Sequence, residues 1–368
     1  MLKKLVVLFI MIFSISFGEN NNSEEYLKGK IIKLESINKN IDDSEEEVKE
    51  IRNYQVEILQ GSDKNKIITV EFPIYKESAY NIQLRDGEEI VLYKDNYDLD
   101  GVKYYITDAD KRGPQIILVG LFVFLTILIA KLKGVRAIIS LSVVIGIIYY
   151  IFLPGIAKGY SPIGVSTFCA LLSSGTTIFI MTGFSKKGIV AILGAVAGVV
   201  FAGGISMYFS YKMSFTGFST VESLNYISLL KGIKIKELVS AGVILGSMGA
   251  VMDVSMSISS ALTELKMSNE DITKKELFNA GMRIGGDIIG TMVNTLILAY
   301  IGSGLLSILF IYLQKNQFPL IRILNFESVA SDILRAFAGS IGILVAVPVT
   351  SYLSGIFYKE KKNSKKEL

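Results

Sequence analysis

The sequence predicts an α-helical integral membrane bundle of about seven transmembrane helices, preceded by a small extracytoplasmic β-rich domain that is barrel-like. Two observations predict this class. Of the 368 residues, 51% are hydrophobic and the mean hydropathy is +0.47, which is too high for an ordinary soluble domain. The charge is also divided, because residues 19–110 hold 12 basic and 22 acidic side chains whereas the rest of the chain has a net charge of +14.

Residues 1–18 are typical of a signal peptide. Lys3 and Lys4 precede an apolar run of 13 residues, 5–17, and small residues at 16 and 18 suit cleavage. A bilayer needs about 20 apolar residues, so the run favours a cleaved signal over an uncleaved anchor helix. In either case we expect residues 19–112 to form an acidic β domain outside the cytoplasm.

The alternation of apolar and polar residues predicts about five short strands in this domain. We expect one hairpin from residues 53–58 and 66–72 around Gly61-Ser62-Asp63, and a second from 81–84 and 90–93 around Arg85-Asp86-Gly87. Residues 29–34 and 102–107 add further strands. Strands of this number and length indicate a small barrel.

The segment 113–358 is predicted to form the transmembrane domain, and 359–368 a basic cytoplasmic tail. Seven apolar segments are each long enough to cross about 30 Å of hydrocarbon as a helix. They are 115–132, 136–153, 162–184, 188–209, 238–262, 288–313 and 333–357.

Basic residues in the short links predict the orientation. With residue 19 outside, links 131–136 and 185–187 and the tail face the cytoplasm, as the positive-inside rule favours. We therefore expect a multi-pass plasma-membrane protein with an extracytoplasmic N-terminal domain and a cytoplasmic C-terminus. The outer loop 210–237, with four lysines, is an exception that fits either a surface helix or a re-entrant turn.

Asp253 is the one acid near the middle of a predicted span. Gly246, Gly249, Asp253 and Ser257 recur at helical spacing and share one face. Because a charged side chain within the bilayer is costly, this face predicts either a cation- or proton-coupled site or a carboxylate held by a polar partner on another helix. Gly246 and Gly249, with Gly194 and Gly198 in the fourth span, are expected to allow close helix packing.

A second polar stripe opens the sixth span. Asp287, Thr291 and Asn294 lie at i, i+4 and i+7, with Arg283 one turn earlier. One interpretation is a polar layer facing Asp253, and the other is an ion pair at a helix start near the cytoplasmic surface.

Missing residue types exclude several functions. The chain has no histidine, one cysteine and no P-loop, HExxH or GxSxG motif, so we expect no enzymatic activity, no metal site and no cofactor. The partners we expect are the lipid bilayer, a small solute or ion, and a second copy or another membrane protein, but no nucleic acid.

The segments 249–261, 275–282 and 290–300 together resemble the YibE/F family of bacterial multi-pass membrane proteins. The resemblance covers about 115–360 and implies that 249–261 and 287–300 form a shared core. The family often has Arg-Asp where this chain has Gly286-Asp287, which weakens an ion-pair role for Asp287. The resemblance implies little about activity.

The function expected from these features is a permease for a small solute or ion, without its own ATPase, in which polar faces of the fifth and sixth spans line the site. The alternative is a non-transporting scaffold or receptor whose β domain binds a partner. An intramembrane protease needs two neighbouring carboxylates, and Asp287 could be the second only beside Asp253.

Overall fold

The computed structural model describes residues 25–39, 48–76, 81–96, 101–217, 232–314 and 316–358. The predicted signal peptide, the tail 359–368 and residues 218–231 of loop 210–237 lie outside the described residues. The chain divides into two compact units, Met1–Leu125 and Thr126–Leu368.

The first unit contains the predicted antiparallel sheet. Its five strands lie in the order β3-β2-β1-β4-β5, and every neighbouring pair is antiparallel. Buried apolar side chains of all five strands form one core, which includes Ile31, Tyr54 and Leu92. The strands are β1 Glu25–Asn38, β2 Val48–Ile58, β3 Ile67–Tyr75, β4 Glu89–Asp95 and β5 Lys103–Ala109.

Strand β1 is the centre of the sheet because it pairs with both β2 and β4. Gly29 lies where both partners approach, and a Cβ built there would lie 2.8 Å from side-chain atoms of Leu92 and of Val56. A larger residue would therefore push the neighbouring strands apart.

The predicted first hairpin is confirmed as β2 and β3, but the predicted second hairpin is wrong. Residues 81–84 form no strand, and β4 pairs with β1 instead. The turn before β4 is bonded to β1, since Gly87 N donates to Ile31 O at 2.8 Å and Ile31 N donates to Glu88 O at 2.9 Å. These bonds direct β4 along β1 rather than back along residues 81–84.

A charged cluster joins the turn between β2 and β3 to strands β4 and β5. Asp63 accepts hydrogen bonds from Lys66 at 2.6 Å, from Lys94 on β4 at 2.7 Å and from the Tyr104 hydroxyl on β5 at 2.8 Å. These donors, Lys66 first, hold the pKa of the Asp63 carboxyl well below its ordinary range. The turn of one hairpin is thus tied to the two strands that follow it.

The second unit is helical. Among the described residues, six helical stretches are long and apolar enough to cross a membrane, and the first of them, Arg112–Ala157, covers 46 residues. The helices are α1 Arg112–Ile147, then a π-helical turn Ile148–Phe152, α2 Leu153–Ala157, α3 Pro162–Thr182, α4 Lys186–Lys212, α5 Ile235–Ser268, α6 Lys274–Ser303, α7 Leu305–Leu313, α8 Leu320–Leu324 and α9 Glu327–Phe357.

One predicted boundary fits the structure and one differs from it. The predicted spans 115–132 and 136–153 both fall within the first helical stretch, and non-helical backbone at Lys131 breaks α1 within the predicted link 131–136. Helix α6 begins at Lys274 rather than near 288, because Thr273 and Glu276 form a capping box there. It ends at Ser303, and the rest of the predicted span 288–313 forms the separate helix α7.

The core of the helical unit is built on glycine contacts between α4, α5 and α9. A Cβ on Gly198 would lie 2.6 Å from both the Gly342 carbonyl oxygen and a methyl group of Val251, and a Cβ on Gly194 would collide with the side chain of Thr350. Small residues therefore let the three backbones approach closely at mid-length.

Helix α6 packs on this core by the same means. A Cβ on Gly285 would collide with Val347 of α9 and lie 3.3 Å from Ile258 of α5, and Gly281 lies against Ser351 and Leu262. Because residues 281 and 285 meet 262 and 258, α6 runs antiparallel to α5.

We expect the Asp63 cluster to make the stability of the β domain pH-dependent. A carboxylate whose folded pKa is lowered contributes stability that is fully present above its unfolded pKa, about 4, and is lost as pH falls further toward the folded value. Amide hydrogen exchange of the full chain in detergent would measure this. Protection of β2, β4 and β5 should be constant from about pH 7 to 5 and fall below about pH 4.

Asp63→Asn should lower protection at pH 7 and flatten the pH dependence. Glu71→Gln, which changes an exposed carboxylate on β3, should do neither. Identical profiles for Asp63→Asn and wild type would contradict the assignment.

We expect Gly198→Val to destabilise the helical unit, because its side chain must displace Gly342 or Val251. Overpacking of this kind costs about 1–3 kcal/mol and is measurable as a lower midpoint of thermal unfolding by circular dichroism. Gly204→Val is the matched control, since Gly204 is on the same helix with no atom of the described chain within 4 Å of a built Cβ. Equal losses in both variants would show that helix propensity, and not the contact with α9, sets the effect.

Candidate functional site

One face of α5 carries the acid that the sequence analysis singled out. Gly246, Asp253 and Ser257 are exposed on it, and Gly249 is half-buried with open space beside it in the described structure. The opposite face is buried in the core through residues such as Ile244, Val251 and Ile258. We call this side of α5, from the half-buried Gly242 to the exposed Ser257, the α5 groove.

Asp253 lies at the middle of the bundle. Val251 of α5 meets Gly198 of α4, which also meets Gly342 of α9, and each of these residues is at the centre of its helix. At a rise of about 1.5 Å per residue, Asp253 is about 3 Å along the axis from this level. The carboxylate is therefore near the middle of the helical unit along the helix axes.

The Asp253 carboxylate has no hydrogen-bond or ion-pair partner among the residues that the structure describes. Facing acyl chains at a helix centre would cost at least about 2.5–3.5 kcal/mol. A polar medium, such as water or a polar solute, is the environment in which this carboxylate is stable.

A second polar cluster lies at the other end of the α5 groove. The Tyr300 hydroxyl of α6 lies against Gly246, and Arg335 Nε of α9 lies 3.8 Å from a Cβ built on Gly242. Arg335 donates to Asp332 at 3.2 Å, the i,i+3 pair expected from its spacing. Asp253 is about 10 Å along α5 from Gly246. The α5 groove therefore has the carboxylate of Asp253 near one end and the guanidinium of Arg335 near the other.

Two buried atoms of this cluster have no hydrogen-bond partner in the described structure. They are the Tyr300 hydroxyl and Arg335 Nε. Buried polar atoms are usually satisfied by protein, water or ligand, so these two unpaired donors are unusual and mark the polar end of the groove. The meeting of Tyr300 and Arg335 with α5 was not predicted from the sequence. Its one available signal was that Gly242 and Gly246 continue the helical face of Asp253.

The predicted α6 residues lie elsewhere. Asp287, Thr291 and Asn294 are all exposed, and Asp287 is about 200° around the helix from Gly285, which contacts the core. The stripe is therefore turned away from α5, and the expected polar layer facing Asp253 does not form within the described chain. The Thr291 hydroxyl donates to Ile288 O of its own helix at 3.0 Å.

Hydroxyls on α3 mostly bond their own backbone. Ser166 donates to Ile163 O at 3.0 Å and Thr176 to Leu172 O at 2.8 Å, whereas Ser140 of α1 donates to Thr177 at 2.8 Å. In the described part of the chain, no group of three His, Cys, Asp or Glu side chains could hold a metal ion.

The sequence of the helical unit matches a known family. The family model of the YibE/F-like protein matches residues 118–360, which is about two thirds of the chain and includes the α5 groove and α6. The chain belongs to the YibE/F-like family. This confirms the resemblance seen in residues 249–300. Neither the curated proteins nor the solved structures contain a match to this YibE/F-like protein.

Proposed function

We propose that this YibE/F-like protein is a permease for a small solute or ion, without its own ATPase, and that the α5 groove is its pathway. The observation that carries this proposal is Asp253, an exposed carboxylate at the middle of the helical unit that has no partner among the described residues. An acid in this position binds a proton or a cation, and its protonation changes its affinity for the membrane interior.

The mechanism we propose is alternating access around α5. Asp253 takes up the coupling ion, and the neighbouring Ser257 hydroxyl provides a second oxygen one helical turn away. Tyr300 and Arg335 provide donors at the other end of the groove. If one end of the α5 groove closes while its other end opens, Asp253 is exposed to each side of the membrane in turn.

The membrane layout we propose has seven spans. As a straight helix, the 46-residue stretch Arg112–Ala157 would be about 69 Å long, more than twice the hydrocarbon thickness of about 30 Å. Lys131 has non-helical φ 50° and ψ −127°, and a Cβ on Gly134 would collide with the Thr126 carbonyl. Residues eight apart meet only if the chain reverses, which supports two spans joined at Lys131.

The basic link 131–136 supports a cytoplasmic position for this reversal, and hence an extracytoplasmic N-terminal domain with a cytoplasmic C-terminus. Contacts between the edge strands β3 and β5, together with the bonds of Asp63 to β4 and β5, support a sheet that closes into a small barrel.

One observation favours the alternative of a non-transporting receptor. Tyr26, Tyr93 and Tyr105 form a row across β1, β4 and β5, with ring centroids 5.4 and 6.3 Å apart. Tyr26 and Tyr105 are 59% and 43% exposed. Tyrosines of this kind are enriched at protein interfaces, so this row is a suitable docking surface for an external partner.

A flux assay tests the permease proposal. The full chain is reconstituted in liposomes loaded with a pH-sensitive dye and challenged with a panel of monovalent cations, divalent cations and small organic acids. We expect at least one solute to move protons with it. Asp253→Asn should reduce that coupled flux to about a tenth or less, because the amide cannot carry the proton. Asp271→Asn, in the exposed link between α5 and α6, should leave the flux unchanged.

Equal, proton-independent flux in wild type and Asp253→Asn would eliminate Asp253 as the coupling group. The absence of flux for every solute, from protein that retains its circular dichroism, would favour the receptor alternative.

A further inference from the structure

An apolar cleft lies between the second half of α3 and the start of α4. It has a volume of about 300 Å³, which is within the range of small-molecule sites in proteins. We call it the α3–α4 cleft. Its walls include Gly175, Ile178 and Phe179 of α3 and Gly188, Ile189 and Ile192 of α4.

The α3–α4 cleft lies on the outer surface of the helical unit. Phe179 and Ile189, on its two walls, are each 45% exposed. Both helices are long and apolar enough to cross a membrane. The cleft is therefore bordered by hydrocarbon, and an acyl chain of a lipid fits its apolar walls.

One end of the cleft lies at the edge of the hydrocarbon. Helix α3 has 21 residues and is about 32 Å long, close to the hydrocarbon thickness of about 30 Å. The link 183–185 that follows α3 is therefore at the level of the lipid headgroups. In this link Phe184 is 95% exposed and packs edge-on against Phe179, with 4.4 Å between the ring centroids.

The rim of the cleft at this end is basic. Lys186 is exposed and lies one turn before Ile189, so it is on the same side of α4 as the cleft wall. Lys187 follows it, and neither lysine has an ion-pair partner among the described residues. Residues 183–189 contain no acid, and the N-terminal end of α4 adds a partial positive charge. An anionic group is therefore favoured at this rim.

An apolar cleft with a basic rim at headgroup level matches one class of molecule, an anionic phospholipid. Basic pockets between membrane helices bind such headgroups. We propose that the α3–α4 cleft binds an anionic phospholipid of the surrounding membrane, with an acyl chain in the cleft and the phosphate at Lys186 and the first amides of α4. The site does not use Asp253 and does not depend on whether the protein transports a solute.

A second apolar cleft on α4 provides an internal comparison. It has a volume of about 330 Å³, and its walls include Gly204 and Tyr208. Lys212, one turn after Tyr208, lies over the Tyr208 ring with 5.9 Å between Nζ and the ring centroid. Because this lysine is already engaged by a ring, we expect the second cleft not to select lipids by headgroup charge.

Native mass spectrometry of the full chain in detergent tests the proposed site. The protein is titrated with phosphatidylglycerol and with phosphatidylcholine of the same acyl chains. We expect one phosphatidylglycerol to bind at least about tenfold more tightly than phosphatidylcholine. The double variant Lys186→Gln/Lys187→Gln should lose this preference. Lys133→Gln, which removes an exposed lysine from the other basic link, should keep it.

Filling the cleft tests its apolar part. No atom of the described chain lies within 4 Å of a Cβ built on Gly175, so a leucine there enters the cleft. Gly175→Leu should weaken phosphatidylglycerol binding about tenfold by displacing the acyl chain, without lowering the midpoint of thermal unfolding. Gly204→Leu, at an equally open glycine in the second cleft, should leave the binding unchanged.

Equal binding of the two lipids by the wild type would overturn the proposal. A preference for phosphatidylglycerol that survives both the double lysine variant and Gly175→Leu would also overturn it. If Lys133→Gln reduced the preference as much as the double variant, the selection would come from the overall positive charge and not from this cleft.

Discussion

Hydrocarbon cannot solvate a carboxylate, and this constraint governs the membrane part of the protein. The bundle places Asp253 at mid-depth on an exposed helix face and Asp287 on another. Neither acid has a protein partner in the described chain. Each of them therefore requires a polar neighbour that the described residues do not supply. For Asp253 we propose that this neighbour is water or a solute in the α5 groove.

Close packing of glycines creates both of these surfaces. Gly194 and Gly198 bring α4 against α5 and α9, while Gly281 and Gly285 bring α6 against the same pair. Asp253 of α5 and Asp287 of α6 lie on the sides of their helices that these contacts leave free. The exposure of both acids thus follows from which sides of the two helices pack in the core.

The features of the fold and the site that could be predicted are those set by patterns local in the sequence. Alternation predicted the β2–β3 hairpin, apolar length predicted the membrane helices, and helical spacing grouped Asp253 with Ser257. The pairing of β4 with β1 was not predictable, because it depends on bonds between Ile31 and the turn at 87–88. The contact of Tyr300 with Gly246 was missed for the same reason, since it joins residues from two helices. The interruption at Lys131 was predictable in outline, because the basic residues and Gly134 of the link 131–136 separate two apolar segments.

The central claim is that the α5 groove opens Asp253 to water. The rate at which a membrane-impermeant methanethiosulfonate modifies a cysteine at position 253, in the full chain with Cys169→Ala, tests this most directly. Leu344→Cys provides the comparison, because Leu344 is 44% exposed on α9 at nearly the same depth and is apolar. Only a hydrated thiol ionises and reacts, so Asp253→Cys should react about 100-fold faster than Leu344→Cys. Equally slow modification of both thiols would show that position 253 faces lipid and would contradict the account.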